Sequence, residues 1–224
     1  MTWRRNMYNN RADAGALLAE ALPTPDPKET VVIALPRGGV PVAAEICRAF
    51  DLPLDLAFVR KIGAPGQPEL AVGAIVDGDQ PMIEVNERIA RAFELSKTDI
   101  KAMGAALLPE IERRKELYLG GRPRPSLKGK TLVVVDDGVA TGATLRAALK
   151  ALRQKNAARL ILALPVAPPG TIEAFKPLAD EMICLMTPGS FMSVGAYYHS
   201  FPQVSDAEVI AIMEQFSEGR KSGA

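Results

Sequence analysis

The stretch at 133–144 reads VVVDDGVATGAT and joins three β-branched apolar residues to two adjacent carboxylates and a loop of small residues and threonines. Such an apolar run favours a strand that is buried on both faces, as in a parallel sheet covered by helices. Neighbouring carboxylates repel each other and are costly to bury alone, so Asp136 and Asp137 must meet hydroxyls, a divalent cation or basic side chains. The stretch therefore predicts both a sheet architecture and a ligand site at the end of one strand.

Short apolar runs alternate with helical patterns on both sides of this stretch. Strands are predicted at 30–36, 54–59, 131–137, 159–167 and 181–186. Helices are predicted at 14–22, 40–50, 144–156, 170–178 and 206–216, the last capped by Ser205. Because strands that alternate with helices form parallel sheets, the sequence predicts an α/β fold, a Rossmann-like parallel sheet flanked by helices.

The segment between Lys61 and Thr131 interrupts this alternation. Its Pro- and Gly-rich start at 63–68 predicts a mobile loop, and 70–76 and 81–85 predict short strands. One or two helices are predicted between 87 and 119, with Ser96 and Asp99 as a capping box. We expect one domain over 1–224, with 62–130 as a lid and helical insertion.

The composition argues against several classes of protein. The formal net charge is +1, which gives no general electrostatic basis for binding nucleic acid or an anionic membrane. No uncharged apolar run approaches the ~18 residues of a membrane span, and Asp13 and Glu20 interrupt the N-terminal run, which favours a helix over a signal peptide. Cys47, Cys184 and the single histidine, His199, lack metal-ligand spacing. We expect a cytoplasmic protein with two reduced thiols.

The loop after the two carboxylates has the features of a phosphate site. Gly138 and Gly142 permit a tight turn with exposed backbone N–H groups, and Thr141 and Thr144 add hydroxyl donors. The loop also opens a predicted helix, whose N-terminus favours an anion. It lacks the closing Gly-Lys-Ser/Thr of a nucleoside-triphosphate hydrolase. A ribose diol beside a bound phosphate would supply hydroxyl donors for the carboxylates.

Two other strand ends carry cations. Arg37-Gly38-Gly39 offers a guanidinium and backbone amides, and Arg60-Lys61 offers two further positive charges. Alone, each motif is compatible with a surface turn. Ligands of open α/β sheets bind beyond the carboxyl ends of the strands, so the joint occurrence predicts a second anion site, larger than one phosphate.

Taken together, these residues resemble a known family. VVVDDGVATGAT (133–144) is similar to the phosphoribosyl-pyrophosphate (PRPP) motif of the type I phosphoribosyltransferases, in which two acidic residues precede a Thr-Gly-x-Thr phosphate loop. ALPRGG (34–39) resembles the family's pyrophosphate loop, which often contains a cis peptide, and VRKIGAPG (59–66) resembles the start of its flexible catalytic lid. The motifs follow the family's order and cover the core from Thr30 to Met186.

The resemblance implies the type I fold and a Mg²⁺-dependent transfer of 5-phosphoribosyl from PRPP to a nitrogenous acceptor, with release of pyrophosphate. Asp136 and Asp137 would hold the ribose hydroxyls and, through water, the Mg²⁺ ion. The residues that would hold the 5′-phosphate are Ala140, Thr141, Gly142, Ala143 and Thr144. The residues that would face the pyrophosphate are Arg37, Gly38, Gly39, Arg60 and Lys61. The expected catalytic residues are Asp136, Asp137, Arg60 and Lys61.

The branch of the family is indicated by Ala140, because the 6-oxopurine enzymes typically have an acid there. The local sequence is nearer to the adenine enzymes, although Ala64 stands where those often have a lysine. The whole pattern is most similar to an uncharacterised branch of predicted phosphoribosyltransferases. The resemblance also implies nucleotide metabolism, a small-molecule acceptor such as a nucleobase, and a homodimer.

The acceptor would lie under a hood formed by 187–205. Phe191, Tyr197 and Tyr198 in this segment could stack on a base, and packing of the last helix explains them equally well. Two further alternatives stay open. One is a PRPP-sensing regulator that binds nucleic acid or a protein, for which Arg113-Arg114-Lys115 would supply local charge. The other is a degenerate structural relative, against which the intact acidic pair argues.

Overall fold

The computed structural model describes residues 7–78 and 81–218, so the expected domain of 1–224 extends past the described part at both ends. The strands are β1 (Thr30–Ala34), β2 (Leu54–Leu56), β3 (Val59–Ala64), β4 (Gln67–Val76), β5 (Met82–Val85), β6 (Thr131–Val135), β7 (Arg159–Val166) and β8 (Glu181–Met186). The helices are α1 (Arg11–Ala21), α2 (Gly39–Phe50), α3 (Glu87–Ala92), α4 (Lys97–Ala105), α5 (Leu108–Leu119), α6 (Ala143–Gln154), α7 (Pro169–Phe175) and α8 (Asp206–Glu218), with a 3₁₀ turn at Val194–Tyr197.

Five strands form a parallel sheet in the order β2-β1-β6-β7-β8. β1 lies beside β6 with Ala34 opposite Val135, and β6 lies beside β7 with Val135 opposite Ala163. The predicted parallel sheet is therefore confirmed. Because β1 and β6 are direct neighbours and end level with each other, the residues that follow them must meet at one edge of the sheet.

Alternate residues of the sheet pack against two helical layers. Val32 and Ala34 of β1 face a core that includes residues of α1, α2 and α8, whereas Val31 and Ile33 face α6 and α7. Side chains of successive strand residues point to opposite faces, so covering both faces requires the continuous apolar runs seen in the sequence. The core fixes the central strands and hence the position of their carboxyl ends.

The predicted single strand at 54–59 is wrong. β2 ends at Leu56 beside β1, and β3 begins at Val59 in a separate antiparallel sheet of order β3-β4-β5. Both strands contribute buried residues, so the apolar run does not mark the boundary between the sheets.

The predicted mobile loop at 63–68 is also replaced by regular structure. β3 and β4 extend to Ala64 and from Gln67, and a tight turn at Pro65-Gly66 joins them. Gly66 has φ +71°, a conformation that suits glycine in a hairpin turn. Pro and Gly here mark the tip of a hairpin, and the segment that resembles a lid is β3–β4.

The segment 87–119 contains three helices, α3, α4 and α5, rather than one or two. The break between α3 and α4 includes Glu94 at φ +54°, and the capping box of Ser96 and Asp99 that starts α4 is confirmed. No helix in the described part of the chain is long and apolar enough to cross a membrane. Cys47 is buried, Cys184 is half-buried, and both are free thiols.

Candidate active site

The residues that follow β1 and β6 lie in direct contact. A methyl group built on Gly38 would lie 2.0 Å from Asp137 Oδ2, and one built on Gly39 would lie 3.0 Å from the Cα atom of Asp136. A side-chain carbon cannot occupy the first position and fits poorly at the second, so the two glycines allow the backbone to approach the acidic pair closely. We call residues 36–39 the glycine loop; its Pro36–Arg37 peptide bond is cis, as the resemblance implied.

Burial raises the pKa of both carboxyl groups. Asp136 is half-buried, and burial together with the charge of Asp137 raises its pKa well above the ordinary 3.8. Burial raises the pKa of Asp137 as well, against the effect of the Arg11 guanidinium, whose Nε donates to Asp137 Oδ2 over 2.8 Å. Asp136 Oδ1 accepts a hydrogen bond from the Asp137 backbone N–H over 2.9 Å. Hydroxyl groups or a cation bound at this point would offset the cost of burying two charges.

The phosphate loop, residues 138–144, connects β6 to α6. Gly142 caps α6 with φ +69°, and no side chain makes a capping hydrogen bond there. The first N–H groups of a helix have no partner within the helix, so those of Ala143 and Thr144 are directed at the loop. Ala140 and Thr141 are exposed, which leaves the loop open to a ligand. This is the arrangement in which helix N-termini bind phosphate.

Two contacts with the rest of the domain hold the phosphate loop in place. The Val139 N–H donates to the Val166 oxygen over 3.0 Å, and Thr171 Oγ1 donates to the Ala140 oxygen over 2.7 Å. A methyl group built on Gly142 would lie 2.4 Å from the ring of Phe175 in α7. The loop is thus preorganised by β7 and α7, and its glycine is required by both conformation and space.

A phosphoribosyl transferase domain matches residues 5–198. The chain belongs to this family. A Mycobacterium tuberculosis protein that carries a provisional phosphoribosyl transferase name is 42% identical over 209 residues. The match covers 93% of this chain and 47% of that protein, so the chain spans about half the length of this curated relative.

Two solved structures share the fold of this chain. TT1426 from Thermus thermophilus is 40% identical with a TM-score of 0.81, over 94% of this chain and 99% of that one. The AQ2163 protein from Aquifex aeolicus shares the fold at 12% identity and a TM-score of 0.50, over 90% of this chain and 85% of that one. The glycine loop and the phosphate loop both lie within residues 5–198, the range that the phosphoribosyl transferase domain matches.

Arg37, the cation of the glycine loop, is turned towards α8. Its Nη1 donates to Asp206 Oδ1 over 3.2 Å, and the same carboxylate accepts a hydrogen bond from the Tyr118 hydroxyl over 2.6 Å. The pKa of Asp206 is lowered, mainly by the hydrogen bond from Tyr118 and then by Arg37. The pKa of Tyr118 is raised to about 12, mainly by burial and then by Asp206. A charged carboxylate thus neutralises Arg37 in this state of the site.

The two other predicted cations lie on opposite faces of the β3–β4 hairpin. Lys61 pairs with Ala74, which packs against Ala147 of α6, whereas Arg60 pairs with Ile75 in the core on the other face. Residues opposite one another share a face and successive residues alternate, so the two cations cannot both face one ligand from this hairpin.

Lys61 is the cation on the phosphate-loop side of the hairpin. It lines a cavity of about 940 Å³ together with Thr141 of the phosphate loop. Its Nζ also donates to Glu69 Oε2 over 2.9 Å within the hairpin. The catalytic roles of Arg60 and Lys61 stay predictions.

Tyr198 is buried beneath the acidic pair, and its ring is largely shielded from solvent. It is 4% exposed, its hydroxyl donates to the Asp137 backbone oxygen over 2.5 Å, and burial raises its pKa far above the ordinary value. Its ring packs between Tyr8, at a centroid distance of 5.2 Å, and Phe201, at 4.8 Å. Tyr198 therefore supports Asp137, and neither face of its ring is positioned to stack on a base.

Phe191 and Tyr197 stack on one another at a centroid distance of 5.4 Å, and the Tyr197 hydroxyl donates to the Ser190 oxygen over 2.8 Å. Both are half-buried, and His199 beside them is exposed. Acceptor binding by this pair stays a prediction.

Sequence reasoning missed three residues of the site: Arg11, Tyr118 and Asp206. Arg11 contacts a carboxylate 126 residues away, and Asp206 contacts Arg37 across 169 residues. Each lies at a helix end or on a helix face where a charged or polar residue is ordinary, so no local signal in the sequence separates it from a solvated side chain.

Proposed function

We propose that the protein transfers the 5-phosphoribosyl group of PRPP to a nitrogen atom of a small-molecule acceptor, a nucleobase, and releases pyrophosphate. The observation that carries the proposal is the contact of the glycine loop with the acidic pair at the start of the phosphate loop. A sugar held by carboxylates between two anion-binding loops has the chemistry of PRPP, which carries a phosphate at one end and a pyrophosphate at the other.

The residues divide the substrate between them. Asp136 and Asp137 accept hydrogen bonds from the ribose hydroxyls, and the N–H groups and threonines of the phosphate loop bind the 5′-phosphate. Arg37 and the amides of the glycine loop bind the pyrophosphate. The C–N bond forms as the bond from C1 to the pyrophosphate oxygen breaks, and pyrophosphate leaves with the bonding electrons. Cations that stabilise this leaving group lower the barrier.

The donor set fits Mg²⁺. The described residues contain no group of three or more side chains placed to hold a metal by themselves. Mg²⁺ is commonly bound through one or two carboxylates while it keeps water and substrate oxygens, and the half-buried Asp136 and Asp137 offer that pair. When bound, the ion would supply positive charge to the pyrophosphate oxygens.

The β3–β4 hairpin and the segment 187–205 exclude water from the activated sugar. The site also raises the rate by holding both reactants in place, because their translational and rotational entropy has then been lost before the chemical step. Ala140 carries no acid, so this position does not exchange a proton with the acceptor.

The test is release of pyrophosphate when the protein is incubated with PRPP, Mg²⁺ and purine or pyrimidine bases in turn. We expect release that depends on one class of base, and we expect it to fall by at least about a hundredfold in Asp137→Asn, the scale of removing a transition-state contact. Asp26→Asn, which changes an exposed carboxylate in the turn before β1, should leave turnover unchanged.

The same experiment separates the alternatives. PRPP binding measured by calorimetry, without release of pyrophosphate for any base, would favour the regulatory protein. Failure to bind PRPP in the presence of Mg²⁺ would show that the proposed function is wrong.

A further inference from the structure

Arg11 is a buried arginine that contacts the acidic pair although it lies 126 residues before Asp137 in the chain. It is the first residue of α1 and is 8% exposed. Besides the bond from Nε to Asp137, its Nη1 donates to the Pro202 oxygen over 2.7 Å. Its guanidinium lies 3.7 Å from the centroid of the Phe201 ring. Three different contacts thus fix the orientation of one planar group.

The backbone around Arg11 is held equally firmly. The Tyr8 N–H donates to the Tyr197 oxygen over 2.8 Å, the His199 N–H donates to the Tyr8 oxygen over 2.8 Å, and the Ser200 N–H donates to the Asn9 oxygen over 2.9 Å. This short parallel pairing joins the chain before α1 to the segment 197–202, which we call the strap. Arg11 therefore reaches Asp137 from a rigid support.

Asp137 is constrained on both its side chain and its backbone. Arg11 holds Oδ2, the carboxylate oxygen that lies against Gly38, and Tyr198 of the strap holds the backbone oxygen. The Asp137 side chain is 14% exposed, so an alternative orientation would leave a poorly solvated charge. The planar fork of an arginine suits this task better than a lysine, because it can bind the carboxylate and the Pro202 oxygen at once.

We propose that Arg11 is a positioning residue for the sugar: it holds Asp137 in the orientation that accepts the ribose hydroxyls, and it links that carboxylate to the strap. The inference rests on the proposed function, since it concerns the same pocket. Arg11 itself need not touch the substrate. When Mg²⁺ is absent, the effect of Arg11 should be confined to ligands that carry the ribose, because Arg37 and the glycine loop bind the pyrophosphate.

Two probes separate the sugar from the leaving group: ribose 5-phosphate alone, and pyrophosphate without added Mg²⁺, each titrated by calorimetry. In Arg11→Met, which keeps an apolar stem over Phe201, we expect the affinity for ribose 5-phosphate to fall about tenfold, the loss typical of one charge-assisted hydrogen bond. The affinity for pyrophosphate should change less than about twofold on the same scale. Arg11→Lys keeps the charge without the fork and should lose an intermediate part of the ribose 5-phosphate affinity.

Arg48 provides a matched control. It also pairs with a carboxylate, that of Glu45, and it lies 5.8 Å from the centroid of Phe216, away from the site. Arg48→Met should leave both affinities unchanged. Arg11→Lys tests the proposal on its own if Arg11→Met does not fold.

The outcomes separate failure of the proposed function from failure of the positioning role alone. Wild-type protein that binds neither probe would overturn the proposed function and the role of Arg11 with it. Wild-type protein that binds both, with variants of Arg11 that lose neither or lose both equally, would overturn only the positioning role. Selective loss of ribose 5-phosphate affinity would support it.

Discussion

At the scale of single residues, the site depends on the absence of a side chain at Gly38 as well as on the carboxylate of Asp137. Gly38 has φ −59°, so its backbone would accept an alanine, and it is the Asp137 carboxylate that leaves no room for a side chain. Gly38→Ala should therefore force Asp137 away and lower the rate of PRPP-dependent pyrophosphate release by at least about tenfold. Gly170→Ala is the matched control, because no atom lies within 4 Å of the position of its added carbon. Equal activity of the two variants would contradict the close packing.

Asp180 offers a residue-scale prediction about pH. Burial would raise its pKa, but the Leu160 N–H, at 2.7 Å from Oδ2, and Arg153, at 2.9 Å, outweigh burial and hold the pKa below the ordinary 3.8. A carboxyl group whose pKa is lowered on folding stabilises the protein above its unfolded pKa, and the stabilisation is lost as the pH falls through the folded value.

Asp180→Asn should accordingly lower the free energy of unfolding near neutral pH by about 0.5–1 kcal/mol, since the group is partly exposed and screened. The difference between the two proteins should shrink below pH 3.8, as measured by urea unfolding at several pH values. If the difference in free energy of unfolding does not depend on pH, the charge of Asp180 does not contribute to stability.

At the scale of elements, α8 and the insertion meet the glycine loop through one carboxylate. Asp206 starts α8, Tyr118 lies in α5, and Arg37 follows β1. Because pyrophosphate and Asp206 would compete for Arg37, Asp206→Asn should tighten the binding of Mg²⁺-pyrophosphate by about threefold, which corresponds to a weak, partly exposed ion pair. The asparagine oxygen still accepts the Tyr118 hydrogen bond, so α5 should stay in place.

Tyr118→Phe is the companion variant, since it removes the hydroxyl and keeps the charge of Asp206. It should not tighten pyrophosphate binding, and calorimetry of both variants checks the pair. Weaker binding in Asp206→Asn would mean that Asp206 preorganises Arg37 for the ligand instead of competing with it.

Elements also show why part of the structure could be predicted and part could not. β6, the phosphate loop and α6 are specified by residues within 24 positions of one another, from Thr131 to Gln154, so the pattern of apolar residues, glycines and threonines is sufficient. The boundary between β2 and β3 was missed because both strands bury apolar residues, although they belong to different sheets. Arg60 and Lys61 lie on two faces because both belong to β3, whereas the sequence predicted that a strand ended just before them.

At the scale of the whole molecule, the start of the described chain pairs with the strap beside the acidic pair. Tyr8 is 1% exposed, its hydroxyl donates to the Pro165 oxygen over 2.6 Å, and its ring packs on Tyr198 of the strap. No pattern near residue 8 foretells a partner at residue 198, because such pairing is decided by the complete fold. The same two segments thus contribute to stability and, through different atoms, to the proposed binding of the sugar.

Tyr8→Phe should separate these two contributions. The variant leaves the Pro165 oxygen buried without the Tyr8 donor, so the free energy of unfolding should fall by about 1–2 kcal/mol. The backbone bonds between 8–9 and the strap remain, and Arg11 stays against Asp137, so the affinity for ribose 5-phosphate should match that of the wild-type protein. Chemical unfolding and calorimetry on the same sample check both quantities. Loss of affinity in proportion to stability would mean that the strap and the sugar site respond as one unit, with no separate role for the arginine contact.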